Sequence, residues 1–247
     1  MPMAGKGMLL TSMDIDAADE AEFNRWYDRE HLAERVAIEG FLEARRYIAH
    51  QTSLIVRSVG VSVDGSVEKQ LHVTQEVFPK YLCLYSTTTI DVLDSPAYKT
   101  RLADPTEWSK KTMARFRNMI RAAARITISR GQGRGAALGI VRIRPAVGEE
   151  EGLRSALRDA LGPQPFDGII SMHLIESDRA LSGPTTEIPS AASAGASDWF
   201  VLIDATDVNA ASAAAALLVD GAPVKSVVIS AGTYRLMWDL AKSDIPA

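Results

Sequence analysis

The densest chemistry in the sequence is the run Asn24-Arg25-Trp26-Tyr27-Asp28-Arg29-Glu30-His31-Leu32-Ala33-Glu34-Arg35. At the roughly 100° per residue of an α-helix, Phe23, Trp26, Tyr27, Glu30, Glu34 and Ala37 share one face. A helix that only packs would carry Leu or Val there, so two carboxylates among aromatics make the face unusual. His31 falls at its edge, one turn after Tyr27 and one before Arg35, where the three side chains can touch. An imidazole beside a carboxylate and a phenol can move protons near neutral pH. On this reading Tyr27 and His31 are the catalytic candidates, and Trp26, Glu30 and Glu34 contact a ligand. The competing reading is structural: Glu30 and Glu34 pair with arginines at a rim, and His31 only fills a contact.

Two strand-like segments offer further groups. In Arg45-Arg46-Tyr47 the side chains alternate, so one arginine faces the helices and the other the opposite way. An inward arginine can hold a carboxylate, phenolate or enolate, and Arg46 is assigned that role; pairing with Glu30 or Glu34 is the structural alternative. Tyr81, Cys83 and Tyr85 share one face of a later strand, with Leu82 and Leu84 on the other. A buried free cysteine behaves as a small hydrophobe, so Cys83 reads as a wall residue and not as a nucleophile; with Tyr85 it is placed beside the ligand. His173 alternates with Met172 and Leu174 and reads as a strand histidine held by neighbours.

Other chemistries find little support. The four histidines show no HxxxH or HxH spacing and Cys83 has no second cysteine, so no metal site is expected. Gly131-x-Gly133-x-x-Ala136 resembles a dinucleotide fingerprint, but a strand follows where that motif needs a helix. The chain has 27 Lys plus Arg and 31 Asp plus Glu, a net charge of -4, which is not the footprint of a nucleic-acid binder. The basic run Arg115–Arg130 alternates with apolar residues and reads as the solvated side of a helix end and a strand. A single cysteine allows no internal disulfide, and no apolar run approaches the roughly 20 residues of a membrane span. The default location is the cytoplasm.

The elements that must position these groups repeat. Met8–Asp14 reads as a strand, about Ala18 to Ala37 as a helix stopped by Gly40, and Phe41–Ala49 and Tyr81–Thr88 as strands. Short helices start at Ser95-Pro96 and Asp104-Pro105, and Ala122–Ser129 closes a β-α-β-β-α-β order. After the glycine-rich junction at 131–135 the order restarts: strand Leu138–Arg144, amphipathic helix Glu149–Leu161, strands Phe166–Glu176 and Trp199–Thr206, helix Asn209–Val219 and strand region Lys225–Asp239. Both halves carry a long connection between their second and third strands. His50–Lys80 has alternating Leu54, Val56, Val59, Val61 and Val63 suited to a hairpin; Ser177–Ser197 has the composition of a mobile loop. The expected fold class is therefore α+β: two tandem ferredoxin-like repeats, residues 1–131 and 136–247, each an antiparallel sheet with its helices on one face. The bare faces must be covered, and one chain holding both sheets can close them as an internal pseudo-dimer, with a further homodimer open.

The stretch Trp26-Tyr27-Asp28-x-x-His31-Leu32-x-Glu34-Arg35, then Gly40-Phe41, Arg45-Arg46-Tyr47 and Pro79-Lys80-Tyr81-Leu82, resembles the EthD-like branch of the dimeric α+β barrel superfamily over about residues 7–130. The second half resembles it in pattern alone. The resemblance implies a small, often cofactor-free protein, a histidine like His31 at a pocket, and a small-molecule ligand. The superfamily's activities span lactone isomerases, polyketide cyclases, cofactor-independent monooxygenases and some heme enzymes. The chain departs from the usual pattern in being a tandem fusion and in its long β2–β3 connection.

Three functions stand as expectations. One is a cofactor-free enzyme in which Tyr27 and His31 handle a proton on an aromatic, lactone or polyketide-like compound while Arg46 holds the oxyanion. Another is a non-catalytic ligand-binding or accessory protein. A heme binder is the weakest, for want of a recognisable pairing of histidine and arginine. A pocket holding Tyr27, His31 and Arg45 or Arg46 together favours the enzyme, and a filled barrel favours a structural role. The second-half helix offers no aromatic and no histidine, so the working site belongs to the first half.

Overall fold

The computed structural model describes residues 3–53, 79–185, 195–221 and 227–245. The hairpin expected around Leu54 to Val63, the middle of the second long connection (186–194) and the start of the last strand at Lys225 lie outside the described residues. In chain order the elements are β1 (Gly7–Asp14), α1 (Glu20–Trp26), a π-helical turn (Tyr27–His31), α2 (Leu32–Ala37), β2 (Phe41–Ser53), β3 (Tyr81–Thr87), α3 (Pro96–Ala103), α4 (Glu107–Met113) and β4 (Arg117–Gly131). They continue as β5 (Ala137–Ile143), α5 (Glu150–Ala160), β6 (Ile169–Ser177), β7 (Trp199–Ala205), α6 (Val208–Asp220) and β8 (Val228–Ala241).

The eight strands close into one barrel in the order β1-β3-β2-β8-β5-β7-β6-β4, every pair antiparallel. The first four strands therefore lie as β4-β1-β3-β2 and the last four as β8-β5-β7-β6, the same order counted within each half. The halves meet along β2–β8 and β4–β6, so closure leaves neither sheet an open edge. Alternation along the strands sorts the side chains. On β1, Met8 and Leu10 point into the barrel, where Leu82, Leu84, Ile140, Phe200 and Leu202 pack against them. Leu9 and Met13 point to the helices, with Phe23, Trp26, Tyr27, Tyr81 and Tyr85. The equivalent helix-facing layer of the second half holds Val141, Leu157, Leu161, Met172, Trp199 and Ala214.

Local signals place the helices. Ser95 accepts a hydrogen bond from the Tyr98 N–H at 3.2 Å, with Pro96 at the first helical position. Thr106 caps α4 the same way through Ser109 N–H at 3.0 Å, and Asp207 caps α6 through Asn209 and Ala210. Gly40, at φ +85°, turns the chain out of α2 where a Cβ would strike the Val92 side chain. A tie between the halves ends α2: the Lys242 ammonium donates to the carbonyls of Val36, Ala37 and Ile38 at 2.8, 2.6 and 3.1 Å. The Ile38 carbonyl also accepts from the Phe41 N–H at 3.2 Å, and all three carbonyls lie at the negative end of the helix dipole. No described helix is long and apolar enough to cross a membrane.

Candidate functional site

A small cavity lies between the helices and the sheet of the first half. Its floor is set by strand register: Leu9 stands opposite Tyr85 and Thr11 opposite Cys83 across β1–β3, while Thr11 stands opposite Arg121 across β1–β4. Leu9, Thr11, Tyr85 and Arg121 line the space from below; Tyr27, His31, Arg35, Tyr98 and Leu102 line it from the helices, and Met13, Met113 and Met119 fill its margins. The volume is about 30 Å3, room for a water or two at roughly 10–15 Å3 each. A larger ligand must displace side chains, and three methionines are the side chains best suited to yield.

The π turn puts His31 there. The Leu32 N–H reaches back to the Tyr27 carbonyl, so this turn holds one residue more than an α-turn and rotates every later side chain of the helix. Counted as a regular helix, Glu30 and Glu34 face inward and His31 sits at the edge. In the structure His31 is 7% exposed, its ring 4.2 Å from Trp26 and 5.1 Å from Tyr27, edge-on to the latter. Glu30 instead accepts from the Thr106 hydroxyl at 2.6 Å and the Ser109 hydroxyl at 3.1 Å, pinning the start of α4. Glu34 pairs with Arg101 on α3. Neither carboxylate lines the cavity.

The other predicted ligand contacts divide similarly. Trp26 stacks on His31 but directs its indole N–H to Ser109 Oγ at 3.1 Å, behind the cavity. Arg46 faces the helices and Arg45 the barrel, as alternation requires. Arg46 donates to Asp28 at 2.6 Å and to the Asn24 side chain, and lies 4.5 Å over the Tyr27 ring. It supports Tyr27 from beneath and does not line the cavity, so the expected pocket of Tyr27, His31 and Arg45 or Arg46 is corrected: Arg35 and Arg121 stand there instead. Cys83 is buried in the aromatic layer, and burial pushes its thiol up to about 12, which keeps it protonated and a poor nucleophile. Tyr85 does line the cavity.

Arg121 falls within the basic run expected to be solvated. It is instead buried at 4% exposure, donating to the Leu181 carbonyl at 2.6 Å, while Arg115, Arg117, Arg125 and Arg130 are exposed. The available signal is its register: it stands opposite Thr11 and directly before the small apolar run Ala122, Ala123 and Ala124. Thr11 gives a signal too, as the polar residue between Leu9 and Met13.

Polarity in the cavity is unspent. His31 Nδ1, Thr11 Oγ1 and Tyr85 OH are buried without a hydrogen-bond partner among the described residues, although the Thr11 and Tyr85 hydroxyls stand close enough to the Tyr27 phenol to favour its ionised form. Burial dominates the titration of all three rings. It holds the Tyr27 and Tyr85 phenols well above their ordinary range, and it holds the His31 imidazole well below its own, with Arg35, Arg101 and Arg46 adding repulsion. At neutral pH the phenols are donors and the imidazole is uncharged.

A second polar cluster lies inside the barrel. Arg45 donates to Asp204 at 2.8 Å and to the Gly135 carbonyl at 2.7 Å. His173 lies between the hydroxyls of Ser129 at 2.9 Å and Ser171 at 3.0 Å, and 3.8 Å from Asp204. Burial and then Arg45 lower the imidazole to about 4. These groups tie β2 to β6 and β7 across the barrel. Among the described residues no group of three or more His, Cys, Asp or Glu is placed to hold a metal ion.

No protein-family model and no curated protein sequence matches the chain. A solved structure of an anthrone oxidase-like protein aligns with a TM-score of 0.57 at 11% identity, covering 98% of this chain and 95% of that one. A proposed monooxygenase from Fusobacterium nucleatum subsp. nucleatum gives 0.50 at 8% identity, with 97% and 96% covered. The fold is that of the dimeric α+β barrels. At such identities the likeness stops at the fold, and the chemistry must be argued from the cavity itself. Among the described residues its lining holds an imidazole, three phenols and two guanidiniums, and no carboxylate.

Proposed function

We propose that this chain is a small-molecule enzyme of the EthD-like kind, built from two ferredoxin-like repeats (1–131 and 136–247). It moves a proton on a weakly acidic ring compound, aromatic, lactone or polyketide-like, in an isomerase, cyclase or monooxygenase type of reaction. The observation that carries the reading is the cavity lining: cationic and hydrogen-bond-donating groups around a neutral base, with no carboxylate among the described residues. Such a site stabilises a ligand that becomes an anion. His31 Nδ1, buried without a partner, accepts the proton; the ligand keeps the electron pair as an enolate or phenolate, and His31 becomes imidazolium. The guanidinium field that lowers His31's affinity for a proton lowers the ligand's equally, so that field does not oppose transfer between them. Tyr27 and Tyr85, held protonated, are donors for the developing oxyanion, and Arg121, whose described partners are uncharged carbonyls, supplies counter-charge.

The matching strand order of the two halves supports the repeat reading; superposition of residues 7–131 on 137–241 tests it. The function is tested by a thermal-shift screen with phenols, lactones and aromatic acids, followed by turnover of the ligands found. His31→Gln and Tyr27→Phe are expected to lower the rate about 100-fold or more, the usual worth of a positioned acid or base, with circular dichroism unchanged. Rates within a factor of about three of wild type would exclude proton transfer by these groups. The small volume favours a second reading, a non-catalytic ligand-binding or accessory protein. Deuterium exchange into a bound ligand separates them: an enzyme labels the acidic position, a carrier does not.

A further inference from the structure

The cavity and an outer groove share one wall. Arg35 on α2 and Tyr98 and Leu102 on α3 face the cavity. On the outer side of the same two helices, Glu34, Ala37 and Ile38 meet Ala97, Arg101 and Asp104 around an open groove of about 490 Å3. The Glu34–Arg101 ion pair spans the seam, with side chains 18% and 32% exposed. Arg101 belongs to both spaces: it lines the groove, and its charge reaches His31 inside.

The other described walls are fastened more firmly. The floor is hydrogen-bonded sheet. α1 and the π turn are tied to α4 by Trp26 to Ser109, Thr106 and Ser109 to Glu30, and Trp108 to Glu22. Arg121 is held on the Leu181 carbonyl. A partly exposed ion pair adds little to the closed form, so among the described walls the α2–α3 seam opens at the least cost.

We propose that this seam is the ligand's entrance, latched by Glu34–Arg101, and that it passes an uncharged ring compound which ionises only inside. The inference rests on the cavity being the ligand site. The charges select for it. The entrance is lined by two carboxylates, Glu34 and Asp104, and one guanidinium, with Ala37, Ile38 and Ala97 as apolar walls; among the described residues the cavity carries guanidiniums and no carboxylate. A preformed anion meets the carboxylates Glu34 and Asp104 at the door, where the Lys242 ammonium is turned onto the Ala37 and Ile38 carbonyls, whereas a neutral acid passes and gains the cationic field after it loses its proton.

The test reads access directly, in the full-length protein and without turnover. Diethyl pyrocarbonate, a small neutral reagent for uncharged imidazole, is followed at His31 and His173 by peptide mass. Arg101→Ala is expected to speed labelling of His31 about fivefold, the weight of one such ion pair, and to leave His173 at the wild-type rate; Glu22→Ala, which cuts the Trp108 tie between α1 and α4 away from the cavity, leaves both unchanged. A His31 rate unmoved by Arg101→Ala, or raised as much by Glu22→Ala, overturns the entrance. Should Arg101→Ala speed both histidines through general loosening, the milder Glu34→Gln is judged by the same criterion. In wild type, phenol is expected to slow His31 labelling and benzoate to leave it unchanged; equal protection by benzoate, or none by phenol, overturns the selection for an uncharged ligand. If His31 proves essential for turnover while its labelling ignores Arg101, the door is misplaced and the site stands.

Discussion

His31 and His173 lose water alike, yet their surroundings assign them different work. His173 has hydroxyls on both ring nitrogens and is 0% exposed, a satisfied group inside the barrel. His31 has Nδ1 unpartnered beside a cavity, the kind of buried gap in hydrogen bonding that calls for a ligand or water. Both are held below the ordinary histidine range, His173 to about 4, so both make stability depend on pH. Below about 6.5 the unfolded chain takes up protons that the native state refuses, so stability rises with pH in this window. The contribution is complete above about pH 6.5 and is lost as pH falls toward 4, amounting to about 3 kcal/mol for His173 alone. Urea unfolding at about pH 7 and about pH 4.5 should show this loss, and His173→Gln should flatten it. An equally steep loss in the variant would place the acid sensitivity elsewhere.

At the scale of elements, legible and hidden features have separate physical causes. Strand alternation is a period of two and tolerates no drift, so the faces of β1, β2 and β3, and the split of Arg45 from Arg46, are legible from residue types. The phase of the helix carrying Tyr27 and His31 is not. A single π turn shifts every later residue, and no residue type in 27–31 announces one. Regular helical phase therefore sends Glu30 and Glu34 to the ligand, and the structure gives them to α4 and α3. Arg121 is hidden for another reason: its partners are backbone carbonyls of the distant Leu181 and Gly183, which carry no sequence signature. The cap of α2 by Lys242, 206 residues from Val36, is equally invisible. Lys242→Met removes a charged donor from three carbonyls and should cost about 1–2 kcal/mol, read as a lower urea midpoint with unchanged m-value. The loss should appear as faster amide exchange in α2 before β1 or β3. Fraying confined to β8 would mean that the cap does not govern α2.

The whole molecule joins two sheets whose barrel faces neither half can leave exposed. Met8, Leu10, Leu82, Leu84, Ile120 and Ala122 from the first half pack against Leu138, Ile140, Ile175, Phe200 and Leu202 from the second. That is apolar surface of the kind a partner subunit covers in a homodimer. Residues 1–131 expressed alone should therefore self-associate or precipitate, and a soluble monomer by light scattering would contradict the shared core. The helix layer of the second half is packed with apolar side chains, Leu157, Leu161, Met172, Trp199 and Ala214 among them, whereas Tyr27, His31 and Tyr85 of the first half line a cavity. One half keeps buried polar groups unpaired, and the other covers the sheet that carries them. The expected consequence is one ligand per chain. Calorimetric titration with any ligand found by the screen should give a stoichiometry near one, abolished by His31→Ala and kept by His173→Ala once both variants are shown to be folded. Two ligands per chain, or equal loss from both substitutions, would mean that the second helix layer opens a site of its own and that packing it with aliphatic side chains did not retire it from function.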